Sequence, residues 1–115
     1  MAHERAAHQD RDASTPSLYR HGDVLVAAVG GIPSQAVRRP HLVLAEGEVT
    51  GHMHRIAEPG SAELYQDRGQ TYLRVVADSA TLVHPEHGPI ALPRGDYRVW
   101  RQREYSPRAI QFVRD

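Results

Sequence analysis

Short apolar runs, each ended by Gly, Pro, Asp or Ser, constrain this chain more than any other feature of its sequence. From residue 18 onward, no window repeats apolar residues at positions i, i+3, i+4 and i+7 over the three turns that a helix needs. Short apolar runs between turn-forming residues are typical of β-strands. We therefore predict an all-β fold for residues 18–115, a small single-domain barrel or sandwich.

The predicted strands follow one another at spacings of roughly 8–12 residues, as in barrels and sandwiches. They cover residues 18–20, 24–29, 42–45, 49–56, 62–66, 71–76, 80–84, 90–92, 97–105 and 109–113. Turn chemistry predicts connections that include residues 77–79, 85–89 and 93–96. The longest connection, residues 30–40, is predicted to be a polar loop or lid.

Residues 1–17 differ from the rest of the chain. They mix both charges, lack apolar periodicity and end in Ser-Thr-Pro-Ser. A segment of this composition buries too little apolar surface to order itself. We predict a disordered tail over residues 1–17 that could dock on a partner subunit, followed by one domain over residues 18–115.

Composition excludes several classes of site. The chain has no cysteine, so disulfides, thiolate zinc sites and cysteine nucleophiles are excluded, and any metal must have nitrogen or oxygen ligands. Fourteen basic residues balance fourteen acidic ones, so net charge gives no attraction to nucleic acid or anionic lipid. No apolar stretch approaches the roughly 18 residues of a membrane span. These features predict a cytoplasmic protein without a membrane partner.

Histidines are the most informative side chains. Six of the eight lie in the predicted domain: His21, His41, His52, His54, His84 and His87. On a strand, residues i and i+2 point to the same face, so His52 and His54 can chelate one ion. His84 and His87 bracket a predicted Pro-Glu turn and offer a second pair. Four imidazoles, or three with water, suit a divalent zinc, iron, manganese or nickel ion.

The same histidines have a second interpretation, as hydrogen-bonded structural residues without a metal. If a metal is bound, Glu48 and Glu86 are the candidate catalytic carboxylates, because each is close in sequence to a histidine pair. Either could act as a general base or orient a ligand, and either could be a plain surface residue. The sequence has no Gly-x-Ser-x-Gly elbow, phosphate loop or dinucleotide fingerprint.

Two stretches resemble the motifs of the cupin family. The first cupin motif is a glycine, then His-x-His, then a glutamate, and a similar series here is Gly47, His52, His54 and Glu58. Pro-Arg-Gly at residues 93–95 resembles the turn of the second motif, and Arg98 stands where that motif has a histidine. The resemblance implies a β-barrel with one metal in its mouth, for which His84 or His87 would replace the missing ligand. The resemblance also makes Glu58 a candidate ligand, although Glu58 falls in a Glu-Pro-Gly turn and not on a predicted strand.

Most of residues 20–105 also resembles a family of small bacterial and phage proteins of unknown function. The shared features are Gly-Asp-Val-Leu at residues 22–25, Gly-His-x-His-x-Ile at 51–56, the segment from His84 to Val99, and Gln-Arg-Glu-Tyr at 102–105. This resemblance implies no particular activity. It indicates which residues occur together.

The predicted strand at residues 97–105 suggests a second function class. One face would carry Tyr97, Val99, Arg101, Arg103 and Tyr105, and the other Arg98, Trp100, Gln102 and Glu104. Interleaved arginines and aromatics are common at subunit interfaces and on nucleic-acid-binding strands, and the balanced net charge favours a subunit interface or support of the core over nucleic acid. The first predicted function is a metal-binding β-barrel domain, either a small metalloenzyme or a sensor, and the alternative is a non-catalytic assembly module, phage-related or oligomeric, with this strand as its contact surface. Because sheet edges must be covered, we also predict a homo-oligomer.

Overall fold

The computed structural model describes residues 16–47 and 51–102. Its regular elements are eight strands, and strands account for 67% of the described residues, so the all-β prediction is confirmed. The strands are β1 (Leu18–His21), β2 (Val24–Val29), β3 (Val37–Arg38), β4 (Val43–Glu46), β5 (Met53–Ile56), β6 (Ala62–Asp67), β7 (Gln70–His84) and β8 (His87–Arg101). No helix within these residues has the length and apolar character needed to cross a membrane.

The strands form one antiparallel sheet in the order β1-β2-β8-β7-β5-β4, with β6 also beside β7 and β3 beside β6. On the edge opposite β8, β7 pairs with two strands, because it is 15 residues long. Its first part pairs with β6, from Gln70 to Val75, whereas Leu82 and Val83 near its end pair with β5. The sheet therefore divides into two branches at β7.

The long β7–β8 hairpin must curl, and contacts at its two ends show why. Val24 at the start of β2 pairs with Arg101 at the end of β8. Gly88 lies 13 positions before Arg101, which is about 43 Å along a straight strand. Yet the ring of His21, which pairs with Val24, lies 2.9 Å from the carbonyl of Gly88. The sheet is consequently a curled half-barrel that brings the hairpin turn back to β1.

An irregularity lies in the middle of that hairpin, where turns were predicted at residues 77–79 and 93–96. That prediction is wrong, because β7 and β8 run through both segments. The pairing shifts instead: Val75 faces Gly95 and Ser79 faces Pro93, so β7 has two extra residues. The Arg94 guanidinium donates to the carbonyl of Ala77 and to the carboxylate of Asp78, and these bonds hold the bulged segment of β7 against β8. Turn-forming residues here make a bulge within paired strands.

The concave side of the curl holds the apolar core. Side chains alternate between the faces along β7 and β8, and the inward set is nearly inaccessible to solvent. Its members are Val24, Val26, Leu44, Ile56, Ala62, Leu64, Leu73, Val75, Ala80, Leu82, Leu92, Tyr97 and Val99. Tyr97 buries its ring completely, and its hydroxyl donates to the carbonyl of Pro93 at 2.6 Å.

Three further predictions differ from the structure or lie outside it. β5 begins at Met53, later than the predicted strand at residues 49–56, and β3 lies within the predicted loop at residues 30–40. The predicted strand at residues 109–113 and most of the predicted tail lie outside the described residues. Of the tail, Ser17 is described, and its carbonyl accepts a hydrogen bond from the amide of Ala28. The domain boundaries stay a prediction.

Candidate functional site

Five histidine rings gather at one end of the curled sheet. We call this set the histidine cluster, and its members are His21, His52, His54, His84 and His87. Contacting rings have centroids between 4.4 and 6.2 Å apart. The rings come from segments far apart in the sequence, so the curl of the sheet assembles the cluster.

The β7–β8 turn supplies two rings. His84 ends β7 and His87 begins β8, and the two residues face each other in the register across the two-residue turn of Pro85 and Glu86. Their ring centroids are 4.5 Å apart. The predicted turn between the two histidines is confirmed.

β5 and the residue before it supply the pair that was predicted to chelate. His54 lies in β5 and is buried, with its ring centroid 4.4 Å from that of His84 and 5.8 Å from that of His87. His52 precedes the strand, and its ring lies 5.7 Å from that of His84. Both members of the pair therefore reach the cluster, and each has its ring near that of His84.

The β1–β2 turn supplies residues that were not assigned to the site from the sequence. His21 Nδ1 lies 2.8 Å from His54 Nδ1, and Asp23 Oδ1 lies 3.9 Å from His54 Nε2. Between them, Gly22 has φ +66°, and a Cβ there would lie 2.6 Å from the ring of His87. Gly22 and Asp23 belong to the Gly-Asp-Val-Leu pattern of residues 22–25, but their contact with the histidines depends on the curl of the sheet.

The cluster favours neutral imidazoles. Burial lowers the pKa of His54 to about 4, and the neighbouring rings of His84 and His21 lower it in the same direction, whereas Asp23 opposes them. Burial also lowers the pKa of His21, against the effect of its bond to the Gly88 carbonyl. The pKa of His84 is lowered by burial and then by His87 and His52. At neutral pH these three rings are mainly uncharged and can offer a lone pair.

One lone pair of the cluster is already occupied. The backbone amide of Glu86 donates to His84 Nδ1 at 3.0 Å, so this lone pair is already in use. Within residues 16–47 and 51–102, no three or more His, Asp or Glu side chains are already arranged as metal ligands. The rings lie close together, and sharing an ion would require their nitrogens to turn towards it.

The carboxylates named from the sequence have different positions. Glu86 lies at the rim, with Oε2 3.6 Å from His52 Nδ1. Glu48 lies outside the described residues. Glu58, the glutamate of the cupin-like series, accepts hydrogen bonds from the amide and hydroxyl of Thr81, which lower the pKa of its carboxyl group. Thr81 rather than the histidine cluster is thus the partner of Glu58.

The arginine-rich strand is described as far as Gln102. Tyr97 and Val99 face the core, and the guanidinium of Arg101 donates to the carbonyl of Glu46. On the other face, the Arg98 guanidinium lies 5.2 Å from the centroid of the Trp100 ring. These contacts give part of the strand a supporting role within the fold. Its use as a contact surface, the homo-oligomer and the cytoplasmic location stay predictions.

Comparison with known proteins places the chain in a family without assigning a function. No curated protein and no solved structure gives a significant match, and the comparisons do not confirm the cupin resemblance. A family model described as a domain of unknown function matches residues 20–102. That range includes every member of the histidine cluster as well as Asp23. The chain belongs to this family, the domain of unknown function DUF8820.

Proposed function

We propose that this domain binds one divalent transition-metal ion in the histidine cluster, with His54, His84 and His87 as central ligands and His52 as the fourth. The close approach of rings from two segments that are distant in sequence, β5 and the β7–β8 turn, carries the proposal. Imidazole nitrogens bind zinc at about 2.0–2.1 Å, so rings that share an ion have centroids roughly 5 Å apart. The three central rings have centroid separations of 4.4, 4.5 and 5.8 Å.

The protonation state of the cluster supports the same function. A histidine binds a metal only through an unprotonated nitrogen, so a lowered pKa means that protons compete less with the ion at pH 7. The pKa values of His54 and His84 are both lowered, chiefly by burial. His54 and His84 can therefore bind an ion at pH 7 without first losing a charge.

Asp23 adds a carboxylate beside the imidazoles. Its Oδ1 atom lies 3.9 Å from His54 Nε2, close enough for both atoms to reach one ion after a small side-chain rotation. Mixed imidazole and carboxylate ligands suit zinc, iron, manganese and nickel ions. Glu86 would orient His52 from the rim, as outer carboxylates orient metal-bound histidines.

Binding would change one hydrogen bond in particular. His84 Nδ1 accepts the Glu86 amide, so a neutral His84 carries its proton on Nε2. Whether His84 binds the ion through Nδ1 or through Nε2, it must give up that bond. The amide resonance of Glu86 is therefore the most direct reporter of an ion at His84.

The function can be tested with protein purified without a histidine tag. We expect one equivalent of divalent metal in the purified protein by elemental analysis, or after titration with Co²⁺ followed by calorimetry. Replacing both His52 and His54 by alanine should abolish stoichiometric binding with the β-sheet circular dichroism retained. The matched control is His41→Ala, because His41 is exposed and accepts a local bond from the Val43 amide.

Two results would contradict the proposal. One is a wild-type protein that takes up no divalent metal while its Glu86 amide resonance stays unchanged on adding Co²⁺. The other is equal binding by the double variant and the His41→Ala control. Either result would make the histidines structural, which is the second interpretation of the sequence.

A further inference from the structure

His21 makes two hydrogen-bond contacts from one buried ring. Its Nε2 atom lies 2.9 Å from the carbonyl oxygen of Gly88, and its Nδ1 atom lies 2.8 Å from Nδ1 of His54. The residue is 2% exposed and His54 is 3% exposed. Both ring nitrogens of His21 are thus committed to partners inside the protein.

The chemistry of these partners fixes where the protons lie. A carbonyl oxygen only accepts, so His21 Nε2 must carry a proton. In a neutral His21, Nδ1 then has a lone pair, and the proton in the contact with His54 must belong to His54 Nδ1. A neutral His54 with its proton on Nδ1 has its lone pair on Nε2, the atom that lies 3.9 Å from Asp23 Oδ1.

We propose that His21 is a positioning residue that holds His54 in the tautomer with Nδ1 protonated and leaves Nε2 as the metal-ligating atom. This inference rests on the proposed metal site. Metal-bound histidines usually donate their other N–H group to a carboxylate, a backbone carbonyl or water, which fixes both the tautomer and the ring orientation. Here a second histidine takes that place and is itself anchored on the Gly88 carbonyl.

The rival arrangement has a doubly protonated His21. It would donate from both nitrogens, and His54 would then accept at Nδ1 and carry its proton on Nε2, towards Asp23. That arrangement places a cation on a ring that is 2% exposed, with two uncharged acceptors, the Gly88 carbonyl and His54 Nδ1, and no bonded carboxylate. Burying a charge with so little compensation is costly, so the neutral arrangement is favoured.

Nitrogen NMR distinguishes the two arrangements in metal-free protein. Long-range ¹H–¹⁵N spectra at pH 7.5 show which nitrogen of each ring carries the proton. We expect His54 to be protonated on Nδ1 and His21 on Nε2. A proton on His54 Nε2 would overturn the inference, and this measurement needs neither a metal nor a variant.

Two amide variants separate the two bonds of His21. His21→Asn places an amide oxygen near the position of Nδ1 and can still accept from His54. His21→Gln places its amide nitrogen near the position of Nε2, so it keeps a donor for Gly88 but loses the acceptor for His54. We expect His21→Gln to weaken Co²⁺ binding about 10- to 100-fold and His21→Asn to retain most of the wild-type affinity and the His54 tautomer.

The outcomes separate this inference from the proposed function. If both variants bind Co²⁺ as tightly as the wild type, His21 does not position His54 and the inference fails while the metal site stands. If the wild type binds no Co²⁺ but has the expected tautomers, the metal function fails and the control of the His54 tautomer by His21 stands.

Discussion

The apolar core and the histidine cluster are both buried in the curled sheet, but burial has opposite effects on stability in the two regions. Around Leu73 and Tyr97 the interior is filled by side chains that release water and need almost no polar partner. At the other region, His21 and His54 are buried almost as deeply, although each brings polar nitrogens that require partners. Apolar residues of similar volume would not need hydrogen-bond partners at these positions. We therefore expect the cluster to cost stability, which is an argument that it has a function.

The largest expected effect is on the free energy of unfolding, when a buried side chain is replaced in each of the two regions. Leu73 is fully buried, so Leu73→Ala should lower the free energy of unfolding by about 2–5 kcal/mol, through lost burial and a cavity. The double change of His21 and His54 to leucine removes both partners of one buried hydrogen bond together but leaves the Gly88 carbonyl without its donor, so it should cost only about 1 kcal/mol. Urea denaturation at pH 7.5 measures both. Equal destabilisation by the two variants would mean that the cluster supports the fold as much as the core does.

The pH dependence of stability is the next largest effect. His54 has a pKa of about 4 in the folded, metal-free protein and about 6.5 when unfolded. Between these values the unfolded chain binds more protons, so stability should fall as the pH drops from 6.5 to 4 and change little above 7. For each such proton the slope reaches at most about 1.4 kcal/mol per pH unit.

Urea denaturation at a series of pH values measures this slope, and the double leucine variant is its control. Because that variant lacks two of the rings whose pKa is lowered, its stability should depend less on pH between 4 and 6.5. An unchanged slope would place the acid sensitivity outside the histidine cluster. The core, which has few titratable groups, should contribute little to it.

A smaller effect is expected from two glycines with similar backbones. Gly22 and Gly69 have φ +66° and +79°, so an alanine at either position should cost about 1–2 kcal/mol in backbone strain. A Cβ at Gly69 would meet no atom within 4 Å, whereas at Gly22 it would lie 2.6 Å from the His87 ring. We expect Gly69→Ala to leave Co²⁺ affinity unchanged and Gly22→Ala to reduce it by displacing His87. Thermal melts measure the stability of the two variants, and calorimetry measures their Co²⁺ affinity. Equal affinities would mean that His87 is not a ligand of the ion.

The strands were predictable where local signals agreed. β2 occupies residues 24–29 as predicted, because an apolar run there lies between two glycine-containing turns. The hairpin turn at Pro85 and Glu86 was predictable from its turn-forming residues, but the predicted connection at residues 85–89 was too long, because β8 begins at His87. The failures at residues 77–79 and 93–96 have one cause. Turn-forming residues fix the local shape of the chain, but only the opposite strand determines whether that shape is a turn or a bulge.

The site was predictable only in part. His52 and His54 could be paired from their spacing, and His84 and His87 from their turn. His21 could not be added, because 67 positions separate it from the Gly88 carbonyl that anchors its ring. Asp23 and the closeness of Gly22 to His87 follow from the same long-range contact. The curl that creates these contacts comes from pairing across the whole sheet, which no local pattern records.

The return of the β7–β8 turn to β1 also determines when the site can exist during folding. A contact between residues so distant in sequence forms only after the intervening chain has lost most of its freedom, and such contacts are slow to form. His84 and His87 can meet early, within one hairpin, but His21 joins them only when the curl closes. An ion held by the complete cluster would therefore favour the closed chain over every partly folded form, and would slow unfolding more than it speeds folding.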